Sequence, residues 1–310
     1  MFSAASISSM DIHVASLDFS TGKVLSPPVR PIETFIGSNG QPDWSPDGKQ
    51  LAYVSTQGRP ADQRILAIRS MDSGETRELR PNLRGFTSPR WSPDGLSFLC
   101  QGNDLEGRQG IYRIDAQTGA TVPIATSAET GSFQWPQWSP DGRRIYYAVR
   151  GQVVERDVAS GAVRELLPKQ NVAGPVISPD GRYIAAYAGF KGSAPSEPSS
   201  TAILIIPVAG GEPRELVRVR APEQLRPVLA WTPGGRGVMA EKFSDNGNRR
   251  ELWLFPVEGG EPRKIDLAID RNTSPLRLHP DGRQLAYVAG ETRYEVVALE
   301  NYLPTAGAAK

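Results

Sequence analysis

Short apolar runs recur along the chain at a nearly fixed interval: "LAYVS" at 51–55, "FLCQG" at 98–102, "IYYAV" at 145–149, "IAAYA" at 184–188, "VMAEK" at 238–242 and "LAYVA" at 285–289. Each is too short for a helix and favours β-structure, so each predicts a strand. Each follows a Ser-Pro-Asp-Gly-type string: Trp44–Gly48, Trp91–Gly95, Trp138–Gly142, Ile177–Gly181, Trp231–Gly235 and Leu278–Gly282. Proline presets φ at the first corner of a turn, Asp bonds its own backbone, and Gly takes positive φ without a steric cost. These strings therefore predict hairpin turns between a first and a second strand. The turn prolines stand at 46, 93, 140, 179, 233 and 280, with spacings of 47, 47, 39, 54 and 47 residues. Six copies at this period make an internal repeat.

Each copy continues in the same way. A variable loop leads to a third apolar strand ("ILAIRSM", "IYRIDA", "VVERDV", "ILIIPV", "LWLFPV"), then to a glycine turn at Gly74, Gly119, Gly161, Gly211 or Gly260. A fourth strand closes the unit ("TRELR", "TVPIA", "VRELL", "PRELV", "PRKID"). Four short antiparallel strands per repeat make one propeller blade. The fold expected is all-β: a six-bladed β-propeller of four-stranded antiparallel blades, with a seventh partial blade as the alternative. The motif Trp ends each first strand, where its ring can wedge between neighbouring sheets and contribute a few kcal/mol, at about 25 cal/mol per Å² buried.

The chain begins inside a blade, with a third strand near Val14, a Gly22 turn and a fourth strand. It ends inside one as well, after the Gly282 turn and the strand "QLAYVAG". N- and C-terminal strands are expected to complete one blade together and close the ring, which removes its open edges. A second candidate third strand, near Val297, competes with the one near Val14 for a single slot. The domain reading is a disordered or remnant segment at 1–10, one propeller at 11–303 and a tail at 304–310. A start inside a blade also suggests a piece of a longer protein.

The "W-S-P-D-G-(K/R)-x-(L/I)-x-(Y/F)" strings and the "(D/G)-G-x-x-R-x-L" fourth strands resemble the TolB-like six-bladed propellers, a branch of the WD-type repeat superfamily. The similarity covers about residues 11–303 and is far more specific for fold than for activity. Three copies depart from the consensus, at Ile177, at Gly234 and at Leu278-His279. The resemblance implies a bacterial binding or scaffolding module, often joined to a helical, kinase or DNA-binding module. Relatives are often periplasmic. This chain shows no signal peptide, so the periplasm is the expected compartment if it was cut from a larger exported or membrane-anchored protein, and the cytoplasm otherwise.

Composition narrows the function. Lys and Arg total 35 against 34 Asp and Glu, a net charge of +1, which gives no basis for a nucleic-acid surface. No stretch has the roughly 20 apolar residues of a membrane helix. Cys100 is the only cysteine, so neither an intrachain disulfide nor a cysteine-based zinc site can form. There are two histidines, His13 and His279, placed on a peripheral strand and in a turn, and no G-x-S-x-G elbow. The five motif aspartates lie one per blade, too dispersed to share a metal. The chain is read as no enzyme, with no cofactor and no metal.

Binding remains, and it belongs where loops vary on a rigid scaffold. Both turn types share one face of the ring. The second-to-third-strand loops and the blade crossovers share the other, where the channel mouth should open. The candidate ring of mouth and loop residues is Asn39, Asp43, Arg59, Phe86, Arg90, Arg108, Trp135, Gln137, Arg226 and Arg277. The reading is a monomer that binds a protein or peptide partner, with no nucleic acid and no membrane insertion. A small-ligand sensor is the first alternative, and the accessory propeller of an absent hydrolase domain the second.

Overall fold

A computed structural model describes residues 2–32, 38–56, 64–126, 133–167, 171–191, 198–244, 249–269 and 275–298, without the side chains of 2–9, 228, 249 and 291–298. These residues form strands and turns, with no helix among them. Six four-stranded antiparallel sheets make six blades. Blade 1 holds β3 (Asn39–Trp44), β4 (Gln50–Ser55), β5 (Ile65–Ser70) and β6 (Thr76–Leu79). Blade 2 holds β7 (Arg84–Trp91), β8 (Ser97–Asn103), β9 (Gln109–Asp115) and β10 (Thr121–Thr126). Blade 3 holds β11 (Phe133–Trp138), β12 (Arg144–Val149), β13 (Gln152–Asp157) and β14 (Val163–Leu167). Blade 4 holds β15 (Val172–Ile177), β16 (Tyr183–Phe190), β17 (Ser200–Pro207) and β18 (Arg214–Arg220). Blade 5 holds β19 (Gln224–Trp231), β20 (Gly237–Ser244), β21 (Arg249–Pro256) and β22 (Arg263–Ile265).

The sixth blade joins the chain ends, in the order β2 (Lys23–Val29), β1 (Phe2–Asp18), β24 (Gln284–Ala298) and β23 (Arg277–Leu278). The competition for its third slot resolves simply. β1 takes the slot, and the stretch near Val297 is the far end of β24, which runs on past the blade. β1 begins at Phe2, inside the segment that the sequence sets apart at 1–10. Its backbone pairs with β24 without a break from Phe2↔Ala298 to Ser16↔Gln284.

Six buried clusters hold the ring, one at each junction between blades. Second strands bury both faces, so their apolar residues run on instead of alternating. In β8, Leu99 packs toward blade 3 and Cys100 toward blade 1. The Cys100 thiol is fully buried, which pushes its pKa up and leaves it inert as a nucleophile. The motif tryptophans sit in these seams, and three also bond across them. Trp44 Nε1 donates to Arg277 O at 3.2 Å, Trp138 Nε1 to Arg90 O at 3.3 Å, and Trp231 Nε1 to Val176 O at 2.9 Å. Trp91 Nε1 is buried without a hydrogen-bond partner.

The fourth strands add a second, outer stitch. Arg77 donates to Ala116 O at 2.5 Å, Arg164 to Val208 O at 2.7 Å and Arg214 to Val257 O at 2.6 Å, each on the next blade. The Arg of the repeated fourth-strand pattern thus ties each of these blades to its neighbour. The hairpin turns are equally regular. Ser45 Oγ donates to Asp47 Oδ1 at 2.6 Å, and Gln50 N donates to Ser45 Oγ at 2.9 Å. The same pair of bonds recurs at Ser92, Ser139 and Ser178. The serine hydroxyl bonds lower the pKa of Asp47, Asp94, Asp141 and Asp180, with Asp180 at about 2.

Candidate binding site in the central channel

First strands line the channel, and four of the six share a defect. Between Gly40 and Asp43 the register gains one residue over the partner strand, and so it does between Thr87 and Arg90, Gln134 and Gln137, and Ala173 and Val176. Each is a β-bulge. The extra residues Gln41, Ser88, Trp135 and Gly174 have φ of 54°, 55°, 52° and 58°. Non-glycine residues in this region cost about 1–3 kcal/mol each and concentrate at functional sites. A bulky Trp at φ 52° is the most unusual of the four. At Gly174 close approach requires the glycine, since a Cβ would stand 2.7 Å from Pro227 O of the next blade.

All four bulge residues line a cavity of about 340 Å³ that opens on the variable-loop face. Arg64, Arg90, Arg277, Asn39 and Gln137 line it as well, with Pro175, Pro227 and Pro275. A second cavity, of about 370 Å³, opens on the turn face and is lined by Trp91, Trp138, Trp231 and the turn prolines Pro93, Pro140 and Pro179. Arg90, Gln137, Val176, Leu229, Leu276 and Arg277 belong to both cavities and form the waist between them.

The waist position falls three residues before each turn proline. Around the ring it reads Asp43, Arg90, Gln137, Val176, Ala230 and Arg277, polar in four blades and apolar in the two adjacent blades 4 and 5. Asp43 Oδ2 accepts the N–H of Trp91 at 2.7 Å. Asp43 Oδ1 lies 3.4 Å from Arg277 Nε and 3.8 Å from Arg90 Nη1. Burial pushes the Asp43 carboxyl up to about 6, against the pull of Arg90 and of the Trp91 N–H. One blade links to the next above the waist, where Ser88 N donates to Gln41 Oε1 at 2.5 Å.

The structure brings together six residues of the sequence-derived ring: Asn39, Asp43, Arg90, Trp135, Gln137 and Arg277. Two mouth candidates stand elsewhere, and Arg108 lies in the variable loop that the sequence assigns it to. Phe86 is 1% exposed and belongs to the seam between blades 1 and 2. Arg226 lies outside the lining, with its Nε 3.9 Å from Glu241 Oε2. Arg108 sits in the β8–β9 loop, where Nε donates to Asp104 Oδ2 at 2.6 Å. Arg59 lies outside the described residues. Sequence reasoning missed Gln41, Ser88 and Arg64. The first two had a signal, since a proline follows the bulge residue at Pro42, Pro89, Pro136 and Pro175.

The profile of the TolB beta propeller domain (PD40) matches residues 23–197, more than half of the chain. The chain belongs to the TolB beta propeller family. The Tol-Pal system protein TolB of Francisella tularensis subsp. mediasiatica is 27% identical over 191 residues, 60% of this chain and 42% of that protein. The uncharacterized peptidase YuxL of Bacillus subtilis is 32% identical over 150 residues, 48% of this chain and 22% of that protein. The chain thus spans less than half the length of either relative. Among solved structures, a protein of Agrobacterium tumefaciens assigned as TolB superposes with a TM-score of 0.69 at 19% identity, covering 91% of this chain and 99% of its own. That likeness supports the six-bladed TolB-type fold.

Proposed function

We propose that this TolB-family propeller is a non-catalytic binding module. It takes a protein or peptide partner on the variable-loop face, as the sensing or scaffolding part of a larger bacterial protein. The supporting observation is the bulged channel wall. Four bulge residues, three of them strained and one of those the half-buried Trp135, surround a cavity of about 340 Å³ that an extended peptide can enter. Gln41, Ser88 and Gln137 offer side-chain donors and acceptors for a peptide backbone, and Trp135 offers a flat apolar surface.

No group of three or more His, Cys, Asp or Glu suited to a metal occurs among the described residues. His279 is engaged in structure: its ring meets Trp44 edge-on at 4.7 Å, and its Nε2 lies 3.0 Å from Gly48 O. The likeness to a peptidase favours one second reading, an accessory propeller beside a hydrolase domain.

Selection of phage-displayed peptides on the 310-residue chain tests the proposal. Selected peptides are expected to lose about 30-fold or more in affinity on Trp135→Ala, the effect of removing an interface hot spot. Peptides unaffected by Trp135→Ala and Gln137→Ala would place binding away from the channel. Failure to select any peptide would refute the peptide reading.

A further inference from the structure

The waist carries more positive charge than it neutralises. Arg277, Asp43 and Arg90 stand on the first strands of three consecutive blades, so one carboxylate faces two guanidinium groups. Arg90 is 6% exposed and its Nε has no hydrogen-bond partner. Its Nη1 donates to Pro89 O at 2.8 Å, and Asp43 lies beyond hydrogen-bond distance. Arg277 Nε is likewise buried and without a hydrogen bond. Arg64, above the waist, donates through Nη1 to Phe86 O at 3.3 Å and leaves its own buried Nε unpartnered. No Asp or Glu side chain lines the upper cavity among the described residues.

Burying an uncompensated charge costs several kcal/mol. A fixed excess at the end of an open cavity is the arrangement expected of an anion site. The excess at the waist is one charge, which matches a monocarboxylate. A phosphate dianion seated at the waist itself, below Arg64, would leave the set of Arg90, Arg277 and Asp43 net negative. Across the ring, blades 4 and 5 present Val176, Leu229 and Ala230, a surface for a carbon body.

We propose that the waist binds a carboxylate between Arg90 and Arg277, with the ligand's carbon body against Val176 and Leu229. This inference rests on the binding-module reading and deepens it. Two sources share the chemistry: the terminal carboxylate of a peptide entering from the variable-loop face, or a small organic acid.

Calorimetric titration of the 310-residue chain separates them. The probes are hexanoate, the tetrapeptide Ala-Ala-Val-Leu with a free carboxylate, and the same peptide as its amide. The acid peptide or hexanoate should bind saturably, and the amide about tenfold more weakly or not at all, the loss of a charge-assisted bond. Tighter binding of the peptide acid than of hexanoate identifies a chain terminus, and the reverse order a small acid. Arg277→Gln should weaken the acid probes about tenfold. Asp43→Asn keeps an acceptor for the Trp91 N–H and removes the competing charge, so it should tighten them severalfold. A gain cannot come from misfolding, so this variant decides the matter if Arg277→Gln fails to fold. Equal binding of acid and amide, absence of any acid binding, or no gain in Asp43→Asn overturns the proposal. Trp135-dependent peptides without carboxylate binding would overturn this inference alone. Carboxylate binding without selectable peptides would instead count against the peptide reading.

Discussion

Substituting Trp231 and Trp91 separately by Phe isolates the bond that ties one blade to the next. Both indoles are similarly buried, at 7% and 8% exposure, and occupy the same place in their repeats. Trp91 also packs its ring against Phe98 at 4.1 Å, and the two tryptophans differ at the indole N–H. Trp231 Nε1 donates to Val176 O at 2.9 Å, whereas Trp91 Nε1 is buried without a partner. Replacing either ring by Phe removes apolar burial worth roughly 1 kcal/mol at about 25 cal/mol per Å². At Trp231 the lost hydrogen bond adds about 1–3 kcal/mol. At Trp91 the substitution removes an unsatisfied donor, which offsets much of the lost burial. The two variants should therefore differ by roughly 2 kcal/mol or more. With an unfolding entropy of about 2.1 cal/mol/K per residue, each kcal/mol moves the Tm of a 310-residue chain by roughly 1.5 °C. Scanning calorimetry should show Trp231→Phe lowered by about 3–6 °C and Trp91→Phe within about 1 °C of the parent. Equal losses in the two variants would refute the claim that the indole N–H, rather than ring size, stitches the seam.

Two further outcomes follow from the turns and the bulges. Gly174→Ala should destabilise by about 2–4 kcal/mol, because it sets a Cβ at φ +58° and 2.7 Å from Pro227 O; a chemical-denaturation midpoint unchanged from the parent would contradict the close approach. The turn aspartates Asp47, Asp94, Asp141 and Asp180 have folded pKa values below the unfolded ones. Their contribution is present above about pH 4 and is lost as pH falls toward 2. Tm should therefore drop across that window, and less steeply in a variant with all four changed to Asn; parallel profiles would show that these carboxylates add nothing.

The blade count and the turns were legible because their causes are local. Ser-Pro-Asp-Gly forms its turn with its own atoms, and the apolar runs declare strands buried on both faces. The wall of the channel was harder to read because of parity. Counting back by twos from Arg90 puts Phe86 on the channel side. The bulge at Ser88 adds one residue, resets the alternation and sends Phe86 into the seam. In blade 5 two extra residues fall between Leu225 and Leu229, and Arg226 leaves the ring for Glu241. Arg64 gave no signal, since only the tertiary fold carries it to Phe86 O. The shared blade was expected, but periodicity cannot say where a strand stops. By pattern alone β24 reads as two strands, and its unbroken pairing with β1 makes it one.

That pairing also sets how the ring meets mechanical load. Phe2 and Ala298 are direct partners at one end of an antiparallel pair, so both strands leave the closing blade in the same direction. Tension drawn through the two ends acts across the ladder rather than along it. The seam opens like a zip, each hydrogen-bonded pair bearing the load alone before passing it to the next. Pulled instead through opposite rims, the same ring would shear whole strands at once and share the load among many bonds. The latch that completes the propeller is therefore its weakest link in one direction of pull.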